Sequence, residues 1–103
     1  MEPDLDVARK ILLNEYYKQE RYSLSKYTDG EILLAKRYLC EHWLCHGCLY
    51  SKNDILIEIG YFEIAARGMV VSELIGDDQL WEQVKAQLKD LQLETVRKVL
   101  EEQ

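Results

Sequence analysis

At 103 residues and 12.2 kDa the chain has the size of one domain. Its 48% hydrophobic and 31% charged content, with a single proline and five glycines, excludes a disordered chain, which carries too little apolar surface to offset ordering entropy. A net charge of −6 and a pI near 4.9 argue against broad electrostatic attraction to nucleic acid or anionic membranes.

The acidity is uneven. Residues 1–50 hold seven Lys/Arg against eight Asp/Glu, whereas residues 76–103 hold four against seven. A local basic patch in the first half therefore stays open. The opening Met1-Glu2-Pro3-Asp4 lacks the basic run and apolar stretch of a signal peptide. No segment reaches the roughly 18–20 apolar residues of a membrane span. Three cysteines, an odd number, do not read as a disulfide framework. These features predict one domain over residues 1–103, cytoplasmic and away from membranes.

The first predicted helix opens at Asp4 as N-cap, with Asp6 in the first turn. Leu5, Ala8, Ile11, Leu12 and Tyr16 recur at helical spacing to about Gln19 or Glu20, with Arg9, Lys10, Glu15 and Lys18 on the wetter side. A polar connector from Arg21 to Tyr27 follows. Thr28-Asp29-Gly30-Glu31 has the spacing of a capping box, opening a helix over about 30–46. That helix carries a stripe of Ile32, Ala35, Leu39, Trp43 and His46 and closes on Gly47 as a left-handed cap. Cys48 to Ser51 and Ile55 to Ile64 read as a hairpin around the turn signal Lys52-Asn53-Asp54, with a bulge or bend at Gly60. A short helix over Ala66 to Ile75 ends at Gly76-Asp77-Asp78, a break followed by an N-cap. Leu80, Trp81, Val84, Leu88 and Leu91 space a fifth element, and Val96, Val99 and Leu100 a last helix over about 94–102.

Helix, helix, hairpin, helix, helix is an α+β order, mostly helical, and it is the order of a winged helix with additional C-terminal helices. The chain also resembles the YjcQ-like family of small winged-helix proteins of bacterial chromosomes and prophages. Three stretches carry the likeness: Asp4-Leu5-Asp6-Val7-Ala8-Arg9-Lys10-Ile11-Leu12-Leu13, then Glu63-Ile64-Ala65-Ala66-Arg67-Gly68 with Ile75-Gly76-Asp77-Asp78, then Trp81-Glu82-Gln83-Val84-Lys85. The middle departs, since the family's His…Leu-Leu…Gly-Leu-Ile run reads here His42-Trp43-Leu44-Cys45-His46-Gly47-Cys48-Leu49-Tyr50 and the hairpin is short. The resemblance implies a winged helix without cofactor or enzyme activity and a phage or prophage origin; it leaves the ligand open.

Cys40, His42, Cys45, His46 and Cys48 are the only Cys and His residues. His42, Cys45 and His46 at i, i+3 and i+4 would share a helix face, which makes structural zinc the alternative to simple burial. Zinc usually takes two spaced pairs from separate elements, and no second pair exists, so no metal is expected. Cys45-His46-Gly47-Cys48 is formally C-x-x-C, but at a helix C-terminus the dipole disfavours the thiolate that redox chemistry needs. No nucleophile motif or phosphate-cradling glycine pattern is present, so no enzyme is expected.

Two binding readings remain. In the first, double-stranded DNA is bound with Lys36 and Arg37 on the second helix, Arg21 and Lys26 before it and Lys52 and Asn53 on the wing near the phosphates, opposed by Glu31, Glu41 and Asp54. In the second, the acidic chain docks on a basic host protein through aromatics such as Trp81, Tyr16, Tyr17, Tyr22, Tyr27 and Tyr50. A homodimer through the terminal helices is also consistent with Val96, Val99 and Leu100.

Overall fold

The computed structural model describes residues 3–103, and the side chains of all of these except 48, 49, 58 and 59. Helix α1 (Leu5–Tyr17) starts where the Asp4 side chain accepts the Asp6 amide. It stops two to three residues earlier than the periodicity suggests, because Lys18 turns left-handed (φ 57°) and closes a Schellman cap through Lys18 N to Glu15 O and Gln19 N to Asn14 O. Residues 18–28 then cross to α2 (Asp29–Glu41), whose capping box forms as expected: Thr28 Oγ accepts Glu31 N at 3.1 Å and Glu31 Oε1 accepts Thr28 N at 2.9 Å.

The largest departure is the end of α2. It closes at Glu41, not at residue 46, and Trp43 (φ 64°) takes the left-handed position expected of Gly47. Trp43 N donates to Cys40 O and Leu44 N to Leu39 O, a Schellman motif completed by the buried pair Leu39 and Leu44. Leu44 must reach the core, so the chain turns one helical turn early and leaves Trp43 69% exposed. A left-handed non-glycine residue costs about 1–2 kcal/mol, which is why sequence reasoning favoured the glycine.

The strands follow at once. β1 (Cys45–Lys52) begins three residues before the predicted start and pairs antiparallel with β2 (Ile55–Ile64) in a two-stranded sheet. Asn53 (φ 52°) and Asp54 (φ 65°) are both left-handed, as a two-residue type I′ turn requires. Gly47 pairs with Phe62 but Cys48 with Ile59, so Gly60 (φ 80°) and Tyr61 form the predicted bulge.

Helix α3 (Ala66–Ile75) has the expected bounds, and Asp77 caps α4 (Asp78–Val84) by accepting Leu80 N at 2.9 Å. The fifth element does not run on to Leu91; α4 yields to a single 3-10 turn at Lys85–Gln87 and then extended chain. Leu88 and Leu91 are nonetheless buried, Leu91 through its amide on Tyr38 Oη at 2.9 Å. The last helix, α5 (Leu93–Glu101), packs on α3 and buries Val96 and Val99, with Leu100 half-buried against the core. Of the stripe offered for a homodimer, Val96 and Val99 are thus buried within the chain's own core.

One core joins α1, α2, α3, α4 and α5, with the base of the hairpin at Cys45 and Ile64. Gly68 sets how closely α3 can approach that base: a Cβ there would lie 2.0 Å from Leu44 O and 2.8 Å from Ile64 Cγ1. Arg9 corrects the sequence reading most directly. It is not on the wetter side of α1 but only 3% exposed. Its Nε donates to Ile75 O at 2.9 Å and its Nη2 to Asp78 Oδ1 at 2.7 Å, while the guanidinium lies 5.3 Å from the Tyr22 ring centroid and 5.2 Å from that of Trp81. Arg9 thereby meets the carbonyl end of α3, where a cation is favoured, and ties it to α4. Among the described residues no helix is long and apolar enough to cross a membrane.

Candidate nucleic-acid interface

Helix α2 turns Ala35, Tyr38 and Leu39 inward. Arg37, about 200° around the helix from Ala35, therefore points away from the core. Its Nε sits 3.8 Å from Glu41 Oε1, an i,i+4 ion pair with both side chains well exposed, 41% and 66%. That distance is too long for a hydrogen bond, and Nε has no hydrogen-bond partner. Lys36 leans toward the hairpin, with Nζ 5.1 Å from the Phe62 ring centroid. Lys52 and Asn53 are exposed at the hairpin tip, with Asp54 beside them. Of the opposing acids, Glu31 is turned back into the capping box and Glu41 toward Arg37.

Arg21 and Lys26 form a second group, brought together by the connector. Asn14 acts as its clamp: Nδ2 donates to Tyr22 O at 2.9 Å and Oδ1 accepts Tyr22 N at 2.8 Å. Tyr22 Oη donates to Asp78 Oδ1 at 2.8 Å, and Leu24 packs against the core. With both ends of this stretch pinned, a shallow depression opens between α1 and the connector, lined by Lys10, Arg21, Tyr22, Ser23, Ser25 and Lys26. Lys10 was missed by sequence reasoning. It lies eleven residues before Arg21 on another element, and its neighbours in sequence mark only a helix flank; the sole hint was a basic pair, Arg9-Lys10, of which one member had to face out. The Arg21 guanidinium stacks 4.2 Å from the Tyr17 centroid, Lys26 Nζ lies 5.4 Å from that of Tyr27, and Lys10 Nζ donates to Tyr27 Oη at 2.9 Å. That hydrogen bond raises the Lys10 pKa against the opposing pull of burial, and Asp6 acts in the same upward direction.

The Cys/His set does not assemble as a helix-face site. His42 caps α2, its Nδ1 against Gln92 Nε2 and its ring 4.2 Å from that of Tyr38, whereas Cys45 and His46 belong to β1. Cys45 is buried, which pushes its thiol far above the ordinary range, and the Cys40 beside it acts in the same direction. A thiol so held is a poor nucleophile and a poor ligand. The side chain of Cys48 lies outside the described residues. Among the described residues no three His, Cys, Asp or Glu are grouped to hold a metal. Of the predicted docking aromatics, Trp81 is buried, its Nε1 donating to Asp6 Oδ1 at 2.6 Å, while Tyr50 is exposed.

No family model, curated protein or solved structure matches the chain. The YjcQ-like resemblance therefore stands on its three sequence stretches alone.

Proposed function

We propose that the chain is a non-enzymatic winged-helix regulator of phage or prophage type that binds double-stranded DNA, with α2 as the recognition helix and the β1–β2 hairpin as the wing. The observation that supports this best is that Arg37 lies on the outward face of α2 and Lys52-Asn53 are exposed at the tip of the hairpin that follows it. A helix and an adjoining hairpin presenting cations together suit a major groove and its flanking phosphates. The net charge of −6 weakens long-range attraction, so binding depends on these local cations and is steeply salt-sensitive. The test is fluorescence anisotropy of a labelled random duplex at low and physiological salt. Saturable binding that collapses with salt and weakens about tenfold or more in Lys36→Ala/Arg37→Ala is expected. Binding indifferent to both salt and these substitutions removes the reading.

A second reading is a module that docks on a basic protein. It is favoured by apolar side chains left in solvent around the hairpin, namely Trp43, Tyr50, Ile55 and Tyr61, which are 69%, 42%, 64% and 53% exposed. A pull-down that enriches one basic partner, lost in Trp43→Ser/Ile55→Ser, supports it; retention of nothing at low salt removes it.

A further inference from the structure

We propose that the depression lined by Lys10, Arg21, Tyr22, Ser23, Ser25 and Lys26 is a phosphate-binding site, which takes one phosphate group of a duplex backbone or of a small phosphate ester. Insofar as the phosphate is that of a duplex, the assignment rests on the DNA-binding reading; as a phosphate site it stands on its own geometry.

The first argument is charge left unspent. The chain has 19 acidic residues for 13 Lys and Arg. Arg9, Arg37 and Lys85 each have a carboxylate within ion-pair distance. Lys10, Arg21 and Lys26 have none among the described residues, and their partners are the neutral rings and hydroxyl of Tyr17 and Tyr27. The two nearest acids are already engaged, since Asp78 accepts from Arg9 and Tyr22, and Asp6 from Trp81 and Lys85. Asp6 and Asp78 act on Lys10 and Arg21 only at longer range, so three cations around one concavity, with no carboxylate of the described residues within ion-pair distance, favour an anion from outside.

The second argument is the donor set. A phosphate oxygen is satisfied by the fork of an arginine, by ammonium groups and by hydroxyl donors. Here Arg21 and the two lysines are joined by Ser23 and Ser25, whose hydroxyls lie 3.0 Å apart and can each rotate toward a ligand. The third is preorganisation. The Asn14 clamp and the Tyr22–Asp78 hydrogen bond hold the connector before any ligand arrives, which lowers the ordering cost of binding.

The experiment is an amide-resolved NMR titration of the full chain with inorganic phosphate, with chloride at equal ionic strength as control, followed by a duplex. Three proteins are compared: the natural chain, Lys10→Gln/Lys26→Gln and Lys36→Gln/Arg37→Gln. Phosphate is expected to shift the amides of residues 21–26 saturably at low salt. Lys10→Gln/Lys26→Gln should weaken that response about tenfold or more while the amides of α3 and α5 stay in place, which shows the fold intact. No shift at 21–26, or a shift equal in that variant, overturns the proposal. If the duplex displaces phosphate, and the variant lowers the slope of log affinity against log salt by about two, the backbone is the source. If phosphate binds but the duplex neither binds nor competes, the site stands for a small ester and the DNA reading fails. If the duplex binds through Lys36 and Arg37 without regard to Lys10 and Lys26, the DNA reading stands and the duplex is overturned as the source of this site's phosphate.

Discussion

Arg9 and Arg21 both lie close to Tyr22, and both stack on aromatic rings, yet they use their charge in opposite ways. Arg9 faces the sealed seam of α1, α3 and α4, where a carboxylate and a helix-end carbonyl take up its donors. Arg21 faces the open connector, where a tyrosine ring orients the guanidinium at 4.2 Å and, among the described residues, no carboxylate lies within ion-pair distance. The sealed side is a place where polar groups are completed internally and so contribute to stability. The open side is one where they are positioned but incomplete, which is what binding an external anion requires. Burial decides between the two roles, because an unpaired charge is tolerable only where water or a ligand can reach it.

The comparison can be broken most severely on the sealed side. Gly68→Ala would put a methyl 2.0 Å from Leu44 O, a backbone atom that is itself fixed by the Ala65 amide at 3.0 Å. Relief requires moving α3 off the hairpin base, and a loss of at least about 3 kcal/mol is expected by denaturant titration. Unchanged stability would mean that α3 does not pack this closely.

Arg9→Met is the next largest. It keeps the aliphatic stem but strands the Ile75 carbonyl and the seam between Tyr22 and Trp81, with an expected loss of about 2–4 kcal/mol. For a domain of this size each kcal/mol lowers Tm by about 4–8 °C. Asp78→Asn should cost far less, because that carboxylate is 69% exposed and well screened.

Acid sharpens the same contrast. Hydrogen bonds from Arg9 and Tyr22 hold the Asp78 carboxyl below its ordinary value of 3.8. At Asp6 burial pushes upward, but Trp81 and Lys85 outweigh it and the carboxyl is again held below 3.8. A depressed folded-state pKa contributes stability above the unfolded value, and that stability is lost as pH falls from about 4 through the folded values. Thermal unfolding between pH 5 and 2 should show this loss in the natural chain and a flatter profile in Asp6→Asn/Asp78→Asn. Equal slopes would separate the carboxylates from the seam's stability.

The smallest effect on stability is expected on the open side. Arg21→Gln removes an exposed cation–π contact, worth no more than about 1 kcal/mol, so Tm should barely move. A clear loss of stability would place Arg21 with Arg9 among the structural arginines and erase the distinction.

Residues 28–31, 53–54 and 77–80 show how much of this was legible in the chain. A capping box, a hairpin turn and an N-cap are each satisfied by atoms within a few residues of one another, so their signatures survive any tertiary context. The end of α2 was not legible in that way. Gly47 was the cheaper left-handed residue, but burying Leu44 against Leu39 outweighed the strain at Trp43. That decision moved Cys45 and His46 from helix to strand and dissolved the apparent helix-face cluster. The basic residues of the connector were visible one by one as Arg21 and Lys26, but Lys10 joins them only across the α1–connector contact.

What the sequence by itself determined is therefore local: where helices begin, where the hairpin turns, and an α+β order that is mostly helical. The apolar spacing of α1 also marked its buried face, and Leu5, Leu12 and Leu13 at i−4, i+3 and i+4 flank Arg9, but its charge led to a wetter-side reading. Only the tertiary structure decided what each charge does, for a charge takes its role from atoms that meet it across the fold. Arg9 is paired because Asp78 arrives from 69 residues away, whereas among the described residues no carboxylate comes within ion-pair distance of Arg21.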